Sequence, residues 1–368
     1  MYIQKFLLLP NAFKGSFSAK EVADSMQRGI LQVLPEAKCL LMPVADGGDG
    51  TLSIISSVIN GKLHTLSVPG PLLEIIEASW FSTGDTCVIE LAQASGIGHL
   101  TGLDAMNANT LGTGVLIKDA YAKGFKNFIL TVGGSASTDG GTGILCALGA
   151  KLFDQNNNEL KPCGASLLHI DRIDLSSMEK GLFDCNFTIA CDVENPLYGP
   201  EGAAYIFAPQ KGATKEQVVE LDKGLQNLAL VMNGDFAHFK GAGAAGGVPY
   251  LMTCVFGAKV ISGFEWIMEI FDLENKIKNA DIVLTGEGSL DEQSIHGKAV
   301  GKILKLCVKQ SKLLWIFPAV KNLKGYDFIQ ERAKVFPVQI EPGQIVELLD
   351  IEQCVAKVCL DFKLGTKK

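Results

Sequence analysis

Short apolar runs that break directly into glycine-rich loops recur along this 368-residue chain, and each loop carries an acid, a lysine or a hydroxyl side chain. An apolar run of strand length, a glycine turn and then a helical stretch together mark a β-α unit, so the repetition restricts the chain to a layered α/β fold. The six loops span residues 11–16, 45–51, 133–141, 191–197, 241–247 and 285–291. Glycine lets the backbone approach a ligand closely and turn its N–H groups toward an anion. Acids beside such loops suit a hydrated cation, and a lysine suits a phosphate. Repeated on one chain, this chemistry points to phosphoryl transfer.

The apolar fraction is 47%, yet no run approaches the about 18 residues of a membrane-spanning helix, which suits a parallel sheet covered on both faces. Residues 5–9 read as a strand. Ser18 and Glu21 form a capping box that opens a helix to residue 33, followed by a strand at 38–43 and a helix at 51–59. The runs 65–68, 75–81 and 86–91 suggest an antiparallel meander. A helix at 110–123, a strand at 127–132, a helix at 143–152, a strand at 186–191 and helices at 216–232 and 265–271 follow. The β-α pattern resumes with strands at 280–284, 312–318 and 333–338 and helices at 298–310, 326–332 and 345–362. Two opening and three closing strands make a five-stranded parallel sheet. The expected domains are residues 1–62 with 279–368, and an inserted α/β domain at 63–278.

Several function classes are excluded by composition and spacing. A net charge of −7 without a basic patch argues against nucleic acid. The ten cysteines are scattered singly, and the five histidines have neither metal nor triad spacing, so reduced thiols in a cytoplasmic protein are expected. The first residues are too short an apolar stretch for a secretory signal. Residues 241–246 match GxGxxG but follow Phe239-Lys240 rather than an apolar strand, which removes a dinucleotide-binding oxidoreductase; close approach of two backbones, or of backbone and ligand, is the better reading. Gly297-Lys298 lacks the rest of a P-loop.

The loop 133–141 packs four glycines, three hydroxyls and an acid into nine residues between a strand and a helix, so Gly133, Gly134, Ser135, Ser137 and Thr138 are the expected phosphate or nucleotide contacts. A tight turn demanding small residues is the plainer alternative for any one glycine pair. Asp46 and Asp49 place two carboxylates on one turn, for a magnesium ion or a substrate hydroxyl, although Asp49 could simply cap the next helix. Lys14 follows the first strand and is placed to neutralise a phosphoryl group, and Lys211 is a second such cation. Asp192, ending an apolar strand before Asn195-Pro196, is a candidate general base, with a turn carboxylate as its alternative. Asn11, Ser16, Asn195, Gln210, Glu287 and Gln293 are expected to hold substrate, and Asp49 and Asp139 the metal.

The segments Pro10-Asn11-Ala12-Phe13-Lys14-Gly15-Ser16, Ala45-Asp46-Gly47-Gly48-Asp49-Gly50-Thr51, Gly112-Thr113-Gly114, Cys191-Asp192-Val193-Glu194-Asn195-Pro196-Leu197 and Pro209-Gln210-Lys211-Gly212-Ala213 resemble those of the bacterial glycerate kinase type 1 family. So do residues 241–247 and 285–294, in the same order along the chain. In one departure, the family's Gly-Gly-Ser-Ala-Thr-Asn-Asp-Gly-Gly loop has Ser137-Thr138 here before Asp139, which loses a side-chain amide. The resemblance implies ATP-dependent phosphorylation of D-glycerate to 2-phosphoglycerate with magnesium, on a flavodoxin-like doubly wound parallel sheet domain joined to a second, inserted α/β mixed-sheet domain. A cleft between the domains is the expected active site. Asp46 or Asp192 would take the substrate proton, and Lys14 and Lys211 would neutralise transferring oxygens. Other small hydroxy acids, the 3-phosphate isomer and a non-catalytic hydroxy-acid or nucleotide sensor are the alternatives. The expected partners are small molecules alone, with neither nucleic acid nor membrane, and a homo-oligomer is left open.

Overall fold

A computed structural model describes residues 4–13, 16–44, 50–233, 237–290, 294, 299–321, 333–339 and 345–365. The chain divides into two compact units, residues 1–46 with 267–368, and residues 47–266.

The first unit is built on a five-stranded sheet, all parallel, in the order Lys334–Val335, Leu313–Ile316, Ile282–Gly286, Lys5–Pro10, Lys38–Leu41. Its inner strands are apolar along their length because both faces are covered: the five residues of Ile282–Gly286 are all buried, as are five of the six in Lys5–Pro10. The helix Ala19–Val33 starts at the expected capping box, with Ser18 Oγ accepting from Glu21 N at 3.2 Å and Ser18 N donating to Glu21 Oε2 at 2.9 Å. It packs against the closing helix Leu348–Gly365, and Phe6, Leu8, Met26, Ile30, Trp315, Ile351 and Val355 join in one core.

The second unit holds a six-stranded mixed sheet in the order Lys259–Ile261, Asn186–Ala190, Asn127–Thr131, Thr86–Glu90, Ile75–Thr83, Lys62–Pro69. The first four strands run parallel, and the last three form the antiparallel meander read from the sequence. The strand Lys259–Ile261 was not expected: three residues are too few to show a periodicity. The helix expected over 143–152 is shorter, Thr142–Ala147. Gly149 turns the chain in the left-handed region (φ 110°), and Lys151–Phe153 becomes a strand paired with Glu159–Leu160 and Arg172–Asp174. The helix Thr51–Val58 belongs to this unit, where the buried Glu90 accepts from Gly50 N at 3.0 Å and Leu52 N at 2.6 Å across its first turn. The helix expected over 326–332 lies outside the described residues.

The packing of Ala19–Val33 on Leu348–Gly365 requires a missing side chain at Gly29, where a Cβ would stand 2.4 Å from the Glu352 carbonyl oxygen and 3.0 Å from Val355 Cβ. Gly29→Val should lower stability by about 1–3 kcal/mol through overpacking, read as a shift of the urea midpoint; an unchanged midpoint would show that the two helices separate freely.

Candidate active site

Four parallel strands of the second unit bring their carboxyl ends into register: Glu90 lies beside Thr131, Thr131 beside Ala190, and Ala190 beside Ile261. Ligands of open α/β sheets gather at this edge. Here the edge carries Glu90, the loop 133–141, the loop that begins at Asp192, and Ser262.

The loop 133–141 is tied down on several sides. Ile97 N donates to Gly134 O and Ala136 N to Ser95 O, both at 2.9 Å. The carboxylate of Asp139 is fully buried, with Oδ2 accepting from Thr110 N (2.9 Å), Thr110 Oγ1 (2.7 Å) and Gly143 N (3.1 Å), and Oδ1 from Gly141 N (3.1 Å). Burial pushes this carboxyl above its usual range, and the four donors oppose that rise without cancelling it. Thr110 Oγ1 in turn accepts from Ile144 N at 3.1 Å, so one hydroxyl joins the start of the helix Leu111–Ala122 to that of Thr142–Ala147. On the other side, Gly140 N donates to Gly246 O at 2.9 Å. Gly246 sits in the left-handed region (φ 69°), and a Cβ there would lie 2.5 Å from both Ser137 O and Thr138 Cα. The glycines of 241–247 therefore serve contact between two backbones.

Lys211 reaches the same loop from the 3-10 turn Pro209–Lys211. Lys211 is 2% exposed, and its ammonium donates to Ser135 Oγ at 2.9 Å and to Ser137 O. Desolvation lowers its pKa from 10.5 to about 8, with the Asp139 charge acting in the opposite sense. Ser137 and Thr138 are fully buried, and their hydroxyls meet no protein partner among the described residues. The surface of the loop is formed instead by Gly133 and the exposed Gly134 (φ 72°), with Ser135 just beneath.

Asp192 is exposed at the end of its strand, and its carboxylate accepts from Ser262 Oγ at 2.6 Å and Phe264 N at 3.0 Å, which ties it to the start of the helix Gly263–Ile270. Asn195 is a brace between loops: its Nδ2 donates to Glu201 O at 2.8 Å and its carbonyl accepts from Gly243 N at 3.0 Å. Gln210 is exposed on the turn that carries Lys211.

In the first unit, Asn11 and Glu287 follow paired strands, since Pro10 is in register with Gly286 and Asn11 N donates to Gly286 O at 2.9 Å. Asn11 Oδ1 accepts from Ala12 N at 2.7 Å, and Glu287 is 6% exposed. Ser16 is exposed in a turn whose N–H donates to Phe13 O. Lys14, Asp46, Asp49 and Gln293 lie outside the described residues.

The metal expectation for Asp139 does not survive this geometry. A magnesium ligand needs a lone pair open to a hydrated ion, whereas Asp139 is sealed from solvent and engaged by four protein donors. Among the described residues no group of three or more His, Cys, Asp or Glu side chains is arranged to hold a metal ion. Sequence reasoning missed Thr110 and Glu90. Thr110 carried no signal, being 29 residues from its partner; an acid closing the apolar run 86–91 was a signal for Glu90.

Thr110→Val should remove one donor from the buried Asp139 carboxylate and cost about 1–3 kcal/mol of stability, measured by thermal or urea unfolding. No loss of stability would mean that Asp139 is neutral or hydrated in solution.

Comparison with known proteins gives a consistent result. A family model described as the glycerate kinase family matches residues 6–350. The chain is 41% identical over 316 residues to glycerate 2-kinase of Escherichia coli K12, covering 84% of this chain and 83% of that one. It is 40% identical over 303 residues to glycerate kinase of Bacillus subtilis 168, covering 80% and 79%. A solved structure described as a candidate glycerate kinase 2 from Salmonella typhimurium LT2 superposes with a TM-score of 0.82 at 31% identity, over 100% of both chains.

Proposed function

The chain belongs to the glycerate kinase family and is a phosphotransferase acting on an alcohol group, and we propose that it transfers the γ-phosphate of ATP to D-glycerate, giving 2-phosphoglycerate. The 2-position rests on the name of the Escherichia coli relative. The observation that carries the reading is the buried Lys211 ammonium held under the 133–141 loop by Ser135 Oγ and Ser137 O, at the carboxyl edge of parallel strands.

Phosphoryl transfer needs reactants held in line and charge neutralised, with little covalent work by the protein. Gly133 and Gly134 would offer main-chain donors to an anion, with Ser135 beneath them. Lys211 would supply a positive charge in a dry setting, where it acts more strongly on developing negative charge than it would in water. Ser137 and Thr138 contribute from below the loop surface, through its shape and polarity. Lys14 is proposed as a second cation, and Asn11, Ser16, Asn195, Gln210, Glu287 and Gln293 as substrate contacts. Asp192 or Asp46 is proposed to accept the glycerate hydroxyl proton. Magnesium, when bound, would offset phosphate charge; Asp139 does not fit it, and Asp49 is the residue proposed to contact it. A cytoplasmic protein without nucleic-acid partners is part of the same proposal, supported by the net charge of −7. No helix among the described residues is long and apolar enough to cross a membrane.

An ADP-release assay tests the reaction. ATP consumption should require both glycerate and magnesium, and phosphorus NMR of the product should show the 2-phosphate. Release of ADP without glycerate, or a 3-phosphate product, would refute the assignment.

Lys211 should impose a pH dependence. In the free protein it carries its charge below about pH 8 and loses it above. The kcat/KM should therefore fall on the alkaline side of that value, and Lys211→Arg should move the fall to higher pH. Lys211→Met should lower kcat/KM by on the order of 100-fold. Stability responds in the opposite sense. The unfolded chain holds this proton up to its ordinary pKa of 10.5, so between about 8 and 10.5 the contribution of Lys211 favours folding more as pH rises. A pH profile of kcat/KM that is flat across pH 7–9 would remove Lys211 from the reaction.

A further inference from the structure

A depression of about 520 Å³, about half open to solvent, lies on the second unit and shares no residue with the Ser135–Lys211 group. Leu73, Leu111, Leu160 and Pro162 give its wall an apolar part. Its polar side is cationic on balance. Lys151 is paired with Glu159 at 3.3 Å, whereas the exposed Lys161 ammonium has no ion pair or hydrogen bond among the described residues. Leu73 contributes a second, independent feature. It stands in the left-handed region (φ 72°) and is 55% exposed, a conformation costly for a bulky side chain and one that places an apolar group at the depression in contact with water.

The depression also touches the brace of the catalytic loop. Asn109 and Leu111 line it, and Thr110 between them holds Asp139. Asn109 fixes this short turn by donating from N (3.0 Å) and Nδ2 (2.9 Å) to Pro71 O, while its Oδ1 accepts from Leu111 N at 2.9 Å. A ligand resting on Asn109 and Leu111 would therefore press on Thr110, which holds Asp139, the acceptor for the amides of Gly141 and Gly143.

We propose that this depression is a regulatory site for a small amphipathic anion, with an apolar body against Leu73, Leu111 and Leu160 and its charge at Lys161, and that occupancy acts on the 133–141 loop through Thr110. The regulatory sense rests on the assignment of that loop to phosphoryl transfer; the binding does not. The test is a fluorescence titration of the full chain with 1-anilinonaphthalene-8-sulfonate, followed by amide hydrogen exchange at saturation. One saturable equivalent is expected, weakened at least tenfold by Lys161→Glu and by Leu73→Asp. Both substitutions fall on exposed positions, and aspartate tolerates the left-handed backbone better than leucine, so neither should unfold the protein. Exchange at Gly141 and Gly143, whose amides donate to Asp139, should slow severalfold when the probe is bound. Absence of saturable binding, or binding that both variants leave unchanged, overturns the site; binding without any change in exchange at those amides overturns the coupling. Neither readout uses phosphoryl transfer, so failure here and failure of the glycerate assay are separate results.

Discussion

The carboxylate of Asp139 has been taken wholly out of water, and the organisation of the second unit's loops follows from what is needed to keep it there. A buried charge is tolerated only when donors replace its hydration. Thr110 supplies two, Gly141 and Gly143 one each, and the Lys211 ammonium lies close enough for its charge and that of Asp139 to act on one another. The residues concerned come from separate stretches: Thr110 at the start of the helix Leu111–Ala122, Gly141 and Gly143 where the glycine loop enters the helix Thr142–Ala147, and Lys211, which donates to the loop and not to Asp139, on the turn Pro209–Lys211. Satisfying one side chain thus brings these segments to one place.

The sheet explains why acids, hydroxyls and glycines gather at this edge. Four parallel strands end in register, and after each the chain must turn away, so small and polar residues collect there. Glu90 closes one such strand and holds the first turn of Thr51–Val58 by two main-chain bonds, and Asp192 closes another and anchors the start of Gly263–Ile270. Acids at this edge therefore cap helices, a use that looks the same in a linear string as a proton or metal site would. The first unit repeats the arrangement with Asn11 and Glu287 after neighbouring strands.

Local order accounts for what could be read without coordinates. The capping box at Ser18 and Glu21, the continuous apolar strands of the parallel sheet and the meander over residues 62–90 are encoded by neighbours in sequence, through propensity and periodicity. The glycine loop 133–141 was legible as a strand-to-helix turn by composition, and the family motifs by their order. The short strands were not: Lys151–Phe153 and Lys259–Ile261 have three residues each, and their extended form is set by partners elsewhere in the chain.

The amino-acid string by itself determined which chemistry is present: glycines, hydroxyls, acids and lysines at strand ends, in the sequence of motifs shared with glycerate kinases. Only the tertiary structure decided how that chemistry is divided. It made Asp139 a sealed brace rather than a metal ligand, drew Lys211 under the loop from 74 residues away, and set residues 241–247 against another stretch of backbone. The reason is physical: the role of a carboxylate or an ammonium depends on which donors, acceptors and water surround it, and those neighbours come from parts of the chain far apart in sequence.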